Sequence, residues 1–283
     1  MSKTLCETAL YGLLKNERIK NTPIVFHSRS NKLAVIIDPR FDDMMEAVIR
    51  NFMYYMNPKG WNLLVISWSG HRNAITGMFP NCIFGEIDDN LICKDSPNIT
   101  IDTYNKILMS VEFWKSLPAD HVVIFQKDCI MFKMFPDYFT LYDFSGANWY
   151  TQNNTIFNDG INGGFSIRNR STMIECLEKI TFDMIEQYRT DSLTNQSIIF
   201  KTMSDNQRNF MRSDLSKRNE DVFFSYACEM LHKMIPDVLH RAFLAIEANI
   251  YKDTCVYHGW QYNYHSVDTI QAFLDSSEIF TNQ

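Results

Sequence analysis

The 283-residue chain contains 46% apolar and 14% aromatic residues, a composition typical of a folded globular protein, which excludes an intrinsically disordered chain. Its formal net charge is −6, so the basic face of a dedicated nucleic-acid-binding protein is not expected. No apolar stretch is long enough to predict a membrane span, and residues 1–20 lack the apolar core of a secretory signal. The composition therefore predicts a cytoplasmic protein without a nucleic-acid partner.

The cysteines and the length of the chain limit its architecture. Seven cysteines are scattered without a CxxC pair, so buried reduced thiols are predicted instead of a disulfide framework or a zinc site. Neither an internal repeat nor a low-complexity linker divides the sequence. We therefore expect a single domain over residues 1–283, with residues 1–30 as an N-terminal extension.

The first part of the chain alternates between strand and helix patterns. Apolar runs at 32–38 and 61–68 predict buried strands. Between them, the apolar residues of 42–56 recur at helical spacing, and Asp42 is placed at the N-terminus of this helix. A β-α-β unit with short connections is typical of a parallel sheet. These patterns predict an α/β fold of Rossmann-like type, with a mostly parallel central sheet flanked by helices.

A further helix and strand continue this pattern. Residues 102–117 predict one helix that is capped by Asp102 and ended by Pro118. The short apolar run 121–125 predicts a strand that is buried on both faces of the sheet. Asp128 follows this strand closely, and open α/β sheets bind their ligands at the carboxyl ends of central strands. Asp128 is therefore a candidate functional residue, although a lone Asp at such a place more often forms a turn.

The second half of the chain is less regular. Residues 144–150 predict another strand, and residues 158–168 predict a glycine-rich turn that enters a short strand. Ser171 is placed to cap the helix that follows. Residues 188–218 are rich in polar side chains, which predicts a mobile loop or lid.

Four short motifs follow one another along the chain. They are FQKD at 125–128, GGFSIRNR at 163–170, NEDVFFS at 219–225 and HGW at 258–260. In this order they resemble the DxD-like motif, glycine loop, xED motif and C-terminal histidine of GT-A-type nucleotide-sugar glycosyltransferases. More narrowly, they resemble the motifs of a glycosyltransferase-like family of giant viruses and some microbes.

The resemblance implies a single GT-A-like domain that acts as a nucleotide-sugar-dependent glycosyltransferase. It favours a UDP-sugar as donor and a glycan or glycoprotein hydroxyl as acceptor. If the protein is viral, the host cytoplasm or the virion is its expected location.

Asp128 and His258 are the metal ligands that the resemblance implies. Mg²⁺ prefers a few carboxylate oxygens, and Mn²⁺ also accepts an imidazole, so either cation suits this pair. The cation would stabilise the negative charge that grows on the leaving diphosphate. Gln126 stands where the DxD pattern has its first Asp, and this departure leaves the metal dependence open. Lys127 would add positive charge beside the donor.

The resemblance also implies a base and a close approach to the donor. Asp221 would be the general base of an inverting displacement, with Glu220 as its neighbour in the catalytic site. Gly163 and Gly164 would let the backbone approach the donor because no Cβ intervenes. Each role has a structural alternative: the two acids could only cap a helix, the glycines could form an ordinary tight turn, and His258 could be a buried histidine.

Further candidates complete the predicted site. Donor contacts are expected from four residues at or near the carboxyl ends of the first two strands, namely Asp38, Arg40, Ser67 and Arg72. Acceptor contacts are expected from two aromatic side chains, Trp149 and Trp260. Arg168 and Arg170 are predicted to lie at the solvated end of the glycine-rich strand.

Two other functions fit parts of the sequence. A catalytically silent module of the same fold, which binds a glycan or a nucleotide, is favoured by Gln126 and disfavoured by the presence of Asp221 and His258. A nucleotidyltransferase is the third reading, but residues 38–42 lack the basic, glycine-rich loop that it would need.

Overall fold

A computed structural model describes residues 11–12, 15–92, 98–150, 156–195, 219–247, 253–259 and 275, with the backbone alone at 149–150, 156–159 and 189–195. The strands within these ranges are β1 (Lys32–Ile37), β2 (Asn62–Trp68), β3 (Ile83–Ile87), β4 (His121–Phe125), β5 (Cys129–Met131), β6 (Phe144–Tyr150), β7 (Ile156–Asn169), β8 (Ala245–Ile246) and β9 (Val256–His258). The helices are α1 (Glu17–Lys20), α2 (Asp43–Met56), α3 (Arg72–Met78), α4 (Ile101–Leu108), α5 (Val111–Ser116), α6 (Arg170–Lys179), α7 (Phe182–Asn195), α8 (Glu220–Met230) and α9 (Val238–Leu244). Among these helices, none combines the length and apolar character that crossing a bilayer requires.

Six of the described strands form the central sheet, in the order β3-β2-β1-β4-β7-β6. Strands β1 to β4 run parallel, whereas β7 is antiparallel to both β4 and β6. A small second sheet has the order β5-β9-β8. The predicted mostly parallel sheet flanked by helices is thereby confirmed.

The core consists of two layers, one on each face of the central sheet. Because side chains alternate along a strand, Ala34 and Ile36 of β1 pack on one face, with α2 and the small sheet. Leu33 and Val35 pack on the other face, with α4, α5, α6 and α8. Strand β1 is therefore buried on both faces, which explains why its sequence is an unbroken apolar run.

The N-terminal extension is tied to the central sheet and to α2. Ile19 is fully buried in the layer that contains α2. The backbone N–H of Val25 donates to Asn57, and that of His27 donates to Asn62. The described part of the extension thus packs on the domain as part of its structure.

The helix predicted over 102–117 is two helices, α4 and α5. The hydroxyl of Ser110 accepts a hydrogen bond from the N–H of Phe113, and this cap starts α5. Thr100, and not Asp102, caps α4. The apolar residues keep a helical spacing across the break, which is why the pattern alone did not show it.

Two further predictions at helix and strand boundaries were wrong. The cap of α6 is Asn169, which accepts from the N–H of Thr172, and not Ser171. The glycine-rich turn predicted within 158–168 is part of β7, a continuous strand. Gly163 and Gly164 lie where the pairing of β7 with β6 shifts its register, between Ser166 opposite Gly146 and Asn162 opposite Ala147, and side chains accept from their two N–H groups, as described below.

Residues 188–195 of the loop predicted over 188–218 are helical. Helix α7 extends to Asn195 and so includes the first residues of that range. Residues 196–218 lie outside the described part of the chain, so the predicted lid remains a prediction.

The side chain of Asn51 links α2 to the small sheet. It pairs with both backbone groups of one residue, as a neighbouring strand would. This side chain is fully buried; its amide donates to the carbonyl of Met131 at 2.9 Å and accepts from the N–H of Met131 at 2.8 Å. Asn51→Ala leaves both backbone groups unpaired, so we expect a loss of about 3 kcal/mol in the free energy of unfolding, measured by urea denaturation. The exposed Asn81→Ala is the control, with an expected change below about 0.5 kcal/mol. Equal losses in the two variants would contradict this role.

Candidate active site

A cavity of about 730 Å³ opens at the carboxyl ends of β1 and β4. In the sheet order, β1 lies between β2 and β4, so the chain leaves β1 toward one side and returns on the other. Such a switch point is where open α/β sheets bind their ligands. The walls contain most of the predicted site residues: Asp38, Arg40, Gln126, Lys127, Asp128, Gly163, Gly164, Glu220, Asp221 and His258.

The small sheet brings His258 to Asp128. Strand β5 starts immediately after Asp128, and the antiparallel register of β5 and β9 places Cys129 opposite His258. The next residue, Gly259, has a φ of 73° and its N–H donates to the carbonyl of Asp128 at 3.0 Å. A residue with a side chain rarely adopts this left-handed conformation, so glycine suits the position after the histidine.

Three polar atoms of different residues converge at His258. Its Nε2 lies 3.2 Å from the amide oxygen of Gln126 and 3.6 Å from a carboxylate oxygen of Asp128. Its Nδ1 is buried without a hydrogen-bond partner in the described part of the chain, 3.9 Å from the carboxylate of Glu247. A proton on Nδ1 would face this carboxylate and leave the Nε2 lone pair toward the two oxygens, whereas a proton on Nε2 would be donated to the Gln126 oxygen.

The donor set fits a hard divalent cation. Nitrogen and oxygen lone pairs that face one another are stabilised by a positive charge between them, and imidazole with oxygen ligands suits Mn²⁺. Asp128, Cys129 and His258 each place a donor atom within 4.8 Å of the others. Burial and the neighbouring Asp128 carboxylate raise the pKa of the Cys129 thiol well above its usual value, and this thiol donates to the carbonyl of Gly164. The sulfur is thus held as a protonated thiol, and Asp128, His258 and Gln126 remain as the candidate ligands.

The two glycines are in close contact with functional side chains. A Cβ on Gly164 would lie 2.0 Å from Nε2 of His258, and a Cβ on Gly163 would lie 2.2 Å from a carboxylate oxygen of Glu220. Both distances are far below van der Waals contact. Glycine is therefore required here so that the imidazole and the carboxylate can pack directly on β7.

Asp221 is held at the first turn of α8. Its carboxylate accepts hydrogen bonds from the N–H of Gly163 at 3.2 Å and the N–H of Val222 at 2.8 Å. Burial and the negative charge of Glu220 raise the pKa of Asp221 to about 7, against the opposing effects of these two hydrogen bonds and Arg168. A carboxyl group with this pKa can exchange protons near neutral pH, as a general base must.

Glu220 is in a different environment from Asp221. Its carboxylate accepts two hydrogen bonds from the guanidinium of Arg168, at 2.6 and 3.0 Å, and its side chain is 4% exposed. Arg168 is fully buried, so the prediction that it lies at the solvated end of the strand was wrong. The alternation of β7 places it on the inner face, where the carboxylate of Glu220 compensates its charge. Arg170, by comparison, is partly exposed and pairs with Asp120.

The positive side chains in the cavity are already paired with acids. The guanidinium of Arg40 donates twice to the carboxylate of Asp38, at 2.6 and 2.9 Å. Lys127 forms an ion pair with Asp42, which also caps α2. An anionic ligand in this cavity therefore competes with these carboxylates for the two cations.

Four predicted residues are not brought into the described site. Ser67 is fully buried and is not part of the cavity wall. Arg72 is half-exposed outside the wall, where it pairs with Glu86 and lies over the ring of Phe84. For both residues the donor role has no support in the geometry. The side chain of Trp149 and the whole of Trp260 lie outside the described part of the structure, so their acceptor roles remain predictions.

Glu247 and Asn105 belong to the site but were not predicted from the sequence. Glu247 accepts from the amide of Asn162 at 3.0 Å and faces His258, and it follows β8 as Asp128 follows β4. An acid directly after a short apolar run was thus a usable signal. Asn105 lines the cavity, and its amide oxygen accepts from the N–H of Glu220 at the start of α8. No local pattern marks Asn105, because its partner is distant in the chain.

Fold and site define an α/β protein with a polar ligand cavity at the switch point of its sheet. A family model described as "Protein of unknown function (DUF5672)" matches residues 91–257, more than half of the chain, and the chain belongs to this family. No curated protein shows significant sequence similarity to it.

Similar solved structures include two glycosyltransferases. The galactosyltransferase LgtC, in complex with donor and acceptor sugar analogs, is 10% identical with a TM-score of 0.49, over 87% of this chain and 96% of that chain. Mouse xyloside xylosyltransferase 1, in its apo form, is 10% identical with a TM-score of 0.47, over 81% and 97%. At these identities and TM-scores the likeness does not establish a shared function, which has to follow from the residues of the site.

Proposed function

We propose that the protein is a glycosyltransferase that moves a sugar from a nucleotide-sugar donor, preferably a UDP-sugar, to a hydroxyl group of a glycan or glycoprotein. One observation carries the proposal. A carboxyl group with a pKa of about 7, that of Asp221, shares a cavity at the switch point of the sheet with the convergent donor atoms of Asp128 and His258. A base and a diphosphate-binding centre are the two parts that this transfer needs.

The reaction is an inverting displacement with Asp221 as general base. The acceptor oxygen forms a bond to the anomeric carbon while the bond from that carbon to the diphosphate breaks. The acceptor proton passes to the Asp221 carboxylate, and the electron pair of the broken bond leaves with the diphosphate. The hydrogen bonds from Gly163 and Val222 hold the carboxylate in place for this transfer.

The charge balance of the cavity supports a divalent cation, Mn²⁺ or Mg²⁺. Five carboxylates line the described wall against two permanently charged cations, Arg40 and Lys127, so an anionic donor meets a net negative site. Asp128 and His258 would hold the cation, with Gln126 as a third ligand. When bound, it supplies charge neutralisation for the leaving diphosphate. Arg40 and Lys127 then exchange part of their pairing with Asp38 and Asp42 for the phosphate oxygens.

A binding module without catalytic activity is the second candidate, and Gln126 is the observation that favours it. Its amide oxygen is neutral where the related motif has a carboxylate, which weakens attraction for a cation. Binding of a nucleotide or glycan without any turnover would identify this alternative.

A thermal-shift panel of nucleotide sugars, with and without Mn²⁺, tests the proposal. A ligand that binds only the folded state at a hundredfold excess over its Kd stabilises the protein by about 2.7 kcal/mol. We expect one class of nucleotide sugar to raise the Tm, and a transfer assay with that donor then measures product. A panel without any shift would contradict the proposed function.

We expect Asp128→Ala and His258→Ala each to weaken Mn²⁺-dependent donor binding by about 10- to 100-fold, since each removes one of few protein ligands. Calorimetry with the donor and Mn²⁺ measures this effect, and EDTA should reduce parental binding to the level of the variants. The exposed His240→Ala is the matched control and should bind as the parent does. If EDTA leaves parental binding unchanged, the cation assignment is wrong.

A further inference from the structure

We propose that the buried ion pair of Arg168 and Glu220 is a positioning device for Asp221, which locks the first turn of α8 against β7 and sets the charge that Asp221 faces. This inference rests on the proposed function only in that it takes Asp221 as the base. The Glu220 carboxylate is engaged by Arg168, whose side chain is fully buried, so both residues act through Asp221.

The pair is unusually deeply buried. The side chain of Arg168 has no exposed surface, and its Nε donates to the hydroxyl of Ser166 at 2.8 Å. The rings of Trp114, Phe144 and Phe224 lie 4.9 to 5.8 Å from its guanidinium carbon. Burial of two charges is costly, and apolar residues of similar volume often give equal or greater stability. Stability is therefore a weak reason for this pair to exist, and its location next to the base suggests another.

The geometry couples the pair to the base through Gly163. A Cβ at Gly163 would lie 2.2 Å from the Glu220 carboxylate, 3.0 Å from Cβ of Asp221 and 3.1 Å from the Arg168 guanidinium. The backbone of β7 thus packs against all three residues, and the N–H of Gly163 donates to Asp221. Asn105 of α4 fixes the same turn by accepting from the N–H of Glu220. A change in the pair therefore moves the carboxylate of the adjacent Asp221.

The same arrangement decides the electrostatics of the base. Burial is the largest cause of the raised pKa of Asp221; the negative charge of Glu220 raises it further, and the positive charge of Arg168 lowers it to a smaller extent. The other titratable or charged groups of the surrounding cavity wall are Tyr104 on α4, together with Tyr11, Asp38, Arg40, Asp42, Lys127, Asp128 and His258. Of the carboxylates in the cavity wall, that of Glu220 is next to Asp221 in the sequence. Arg168 holds it in place.

The test is the titration of Asp221, followed through its side-chain ¹³C carboxyl resonance, in the parent and in three variants. Glu220→Gln removes the negative neighbour and leaves the Arg168 cation, so we expect the midpoint to fall by about one pH unit or more. In the double variant Arg168→Met with Glu220→Gln, both charges are absent, and the midpoint should lie between the parent and Glu220→Gln. Glu229→Gln makes the same change at an exposed position of α8 and should leave the midpoint unchanged.

The double variant keeps the test decisive even if Glu220→Gln fails to fold, because removing both members of a buried pair is better tolerated than removing one. A midpoint equal to that of the parent in either folded variant would overturn the electrostatic part. Arg168→Lys keeps the positive charge but cannot form the two parallel hydrogen bonds to Glu220. We expect it to lower kcat/KM with little change in the titration midpoint of Asp221. A kcat/KM equal to that of the parent would overturn the positioning part.

The failure of this inference is distinguishable from failure of the proposed function. The titration of Asp221 is measured without a donor, an acceptor or a cation. A midpoint that moves as expected in a protein that transfers no sugar would retain the electrostatic part of the inference and refute both the function and the positioning of a base. A transferase whose Asp221 midpoint ignores Glu220 would do the reverse.

Discussion

Asp221→Asn is expected to lower the rate of sugar transfer by about 10² to 10⁴, while the affinity for the donor stays close to that of the parent. Asn has nearly the size of Asp, and its one amide oxygen can keep the hydrogen bond from Gly163 while the bond from Val222 is lost, so the first turn of α8 should keep its structure at a small cost in stability. It cannot take the proton of the acceptor hydroxyl. The measurement is the transfer rate together with donor affinity, once the thermal-shift panel has named a donor.

The pH dependence provides a second signature of the same residue. The base works in its ionised form, and burial raises the pKa of Asp221 to about 7, so parental kcat/KM should rise with pH through this region and then level off. This limb should be absent from the residual activity of Asp221→Asn. Asp43→Asn is the matched control, since Asp43 is an exposed acid in the first turn of α2. An Asp221→Asn enzyme with near-parental turnover would remove the base, and with it the reason for an inverting mechanism.

Gly164→Ala is expected to weaken cation-dependent donor binding strongly, although it adds only one methyl group. The added Cβ would lie 2.0 Å from Nε2 of His258 and 2.4 Å from its Cε1, so the imidazole has to leave its position. The backbone of Gly164 is held by its N–H bond to Asn162 and by its carbonyl, which accepts from the thiol of Cys129, so it has little freedom to move away from the imidazole. We expect Mn²⁺-dependent donor binding to weaken by about 100-fold and the free energy of unfolding to fall by about 1 to 3 kcal/mol.

Two further variants separate the clash at His258 from a general effect of the substitution. Gly77 lies in α3 with open space around it, so Gly77→Ala should retain donor binding and keep or slightly raise stability. The double variant Gly164→Ala with His258→Ala removes the clash, and it should regain stability without regaining the cation. If Gly164→Ala binds the donor like the parent, then His258 does not hold the cation.

The contacts of Glu220 in the structure differ from those that its position next to Asp221 suggested. Next to Asp221 in the sequence, it was expected to share the catalytic site. Its two bonds to Arg168 instead leave it 4% exposed and engaged in the protein interior. Loss of Glu220 alone should therefore reduce stability as well as activity, whereas loss of the Asp221 charge should reduce activity far more than stability.

The sequence by itself determined the elements that depend on local pattern. Apolar runs identified β1, β2 and β4, helical spacing identified α2, and the acids after Asn219 marked the start of α8. These predictions succeed because burial on two faces, or on one face of a helix, imposes a period that the chain shows without any distant partner. The same locality explains the error at 102–117, where a cap at Ser110 interrupts an unbroken apolar period.

Tertiary structure alone decided which side chains meet. The register of β5 with β9 joins Asp128 to His258, and alternation along β7 buries Arg168 against Glu220. It also brings Glu247 to the imidazole. Each of these contacts links residues more than ten positions apart in the chain. Strand register and charge compensation in the interior decide which residues pair, and a local sequence pattern does not contain this information.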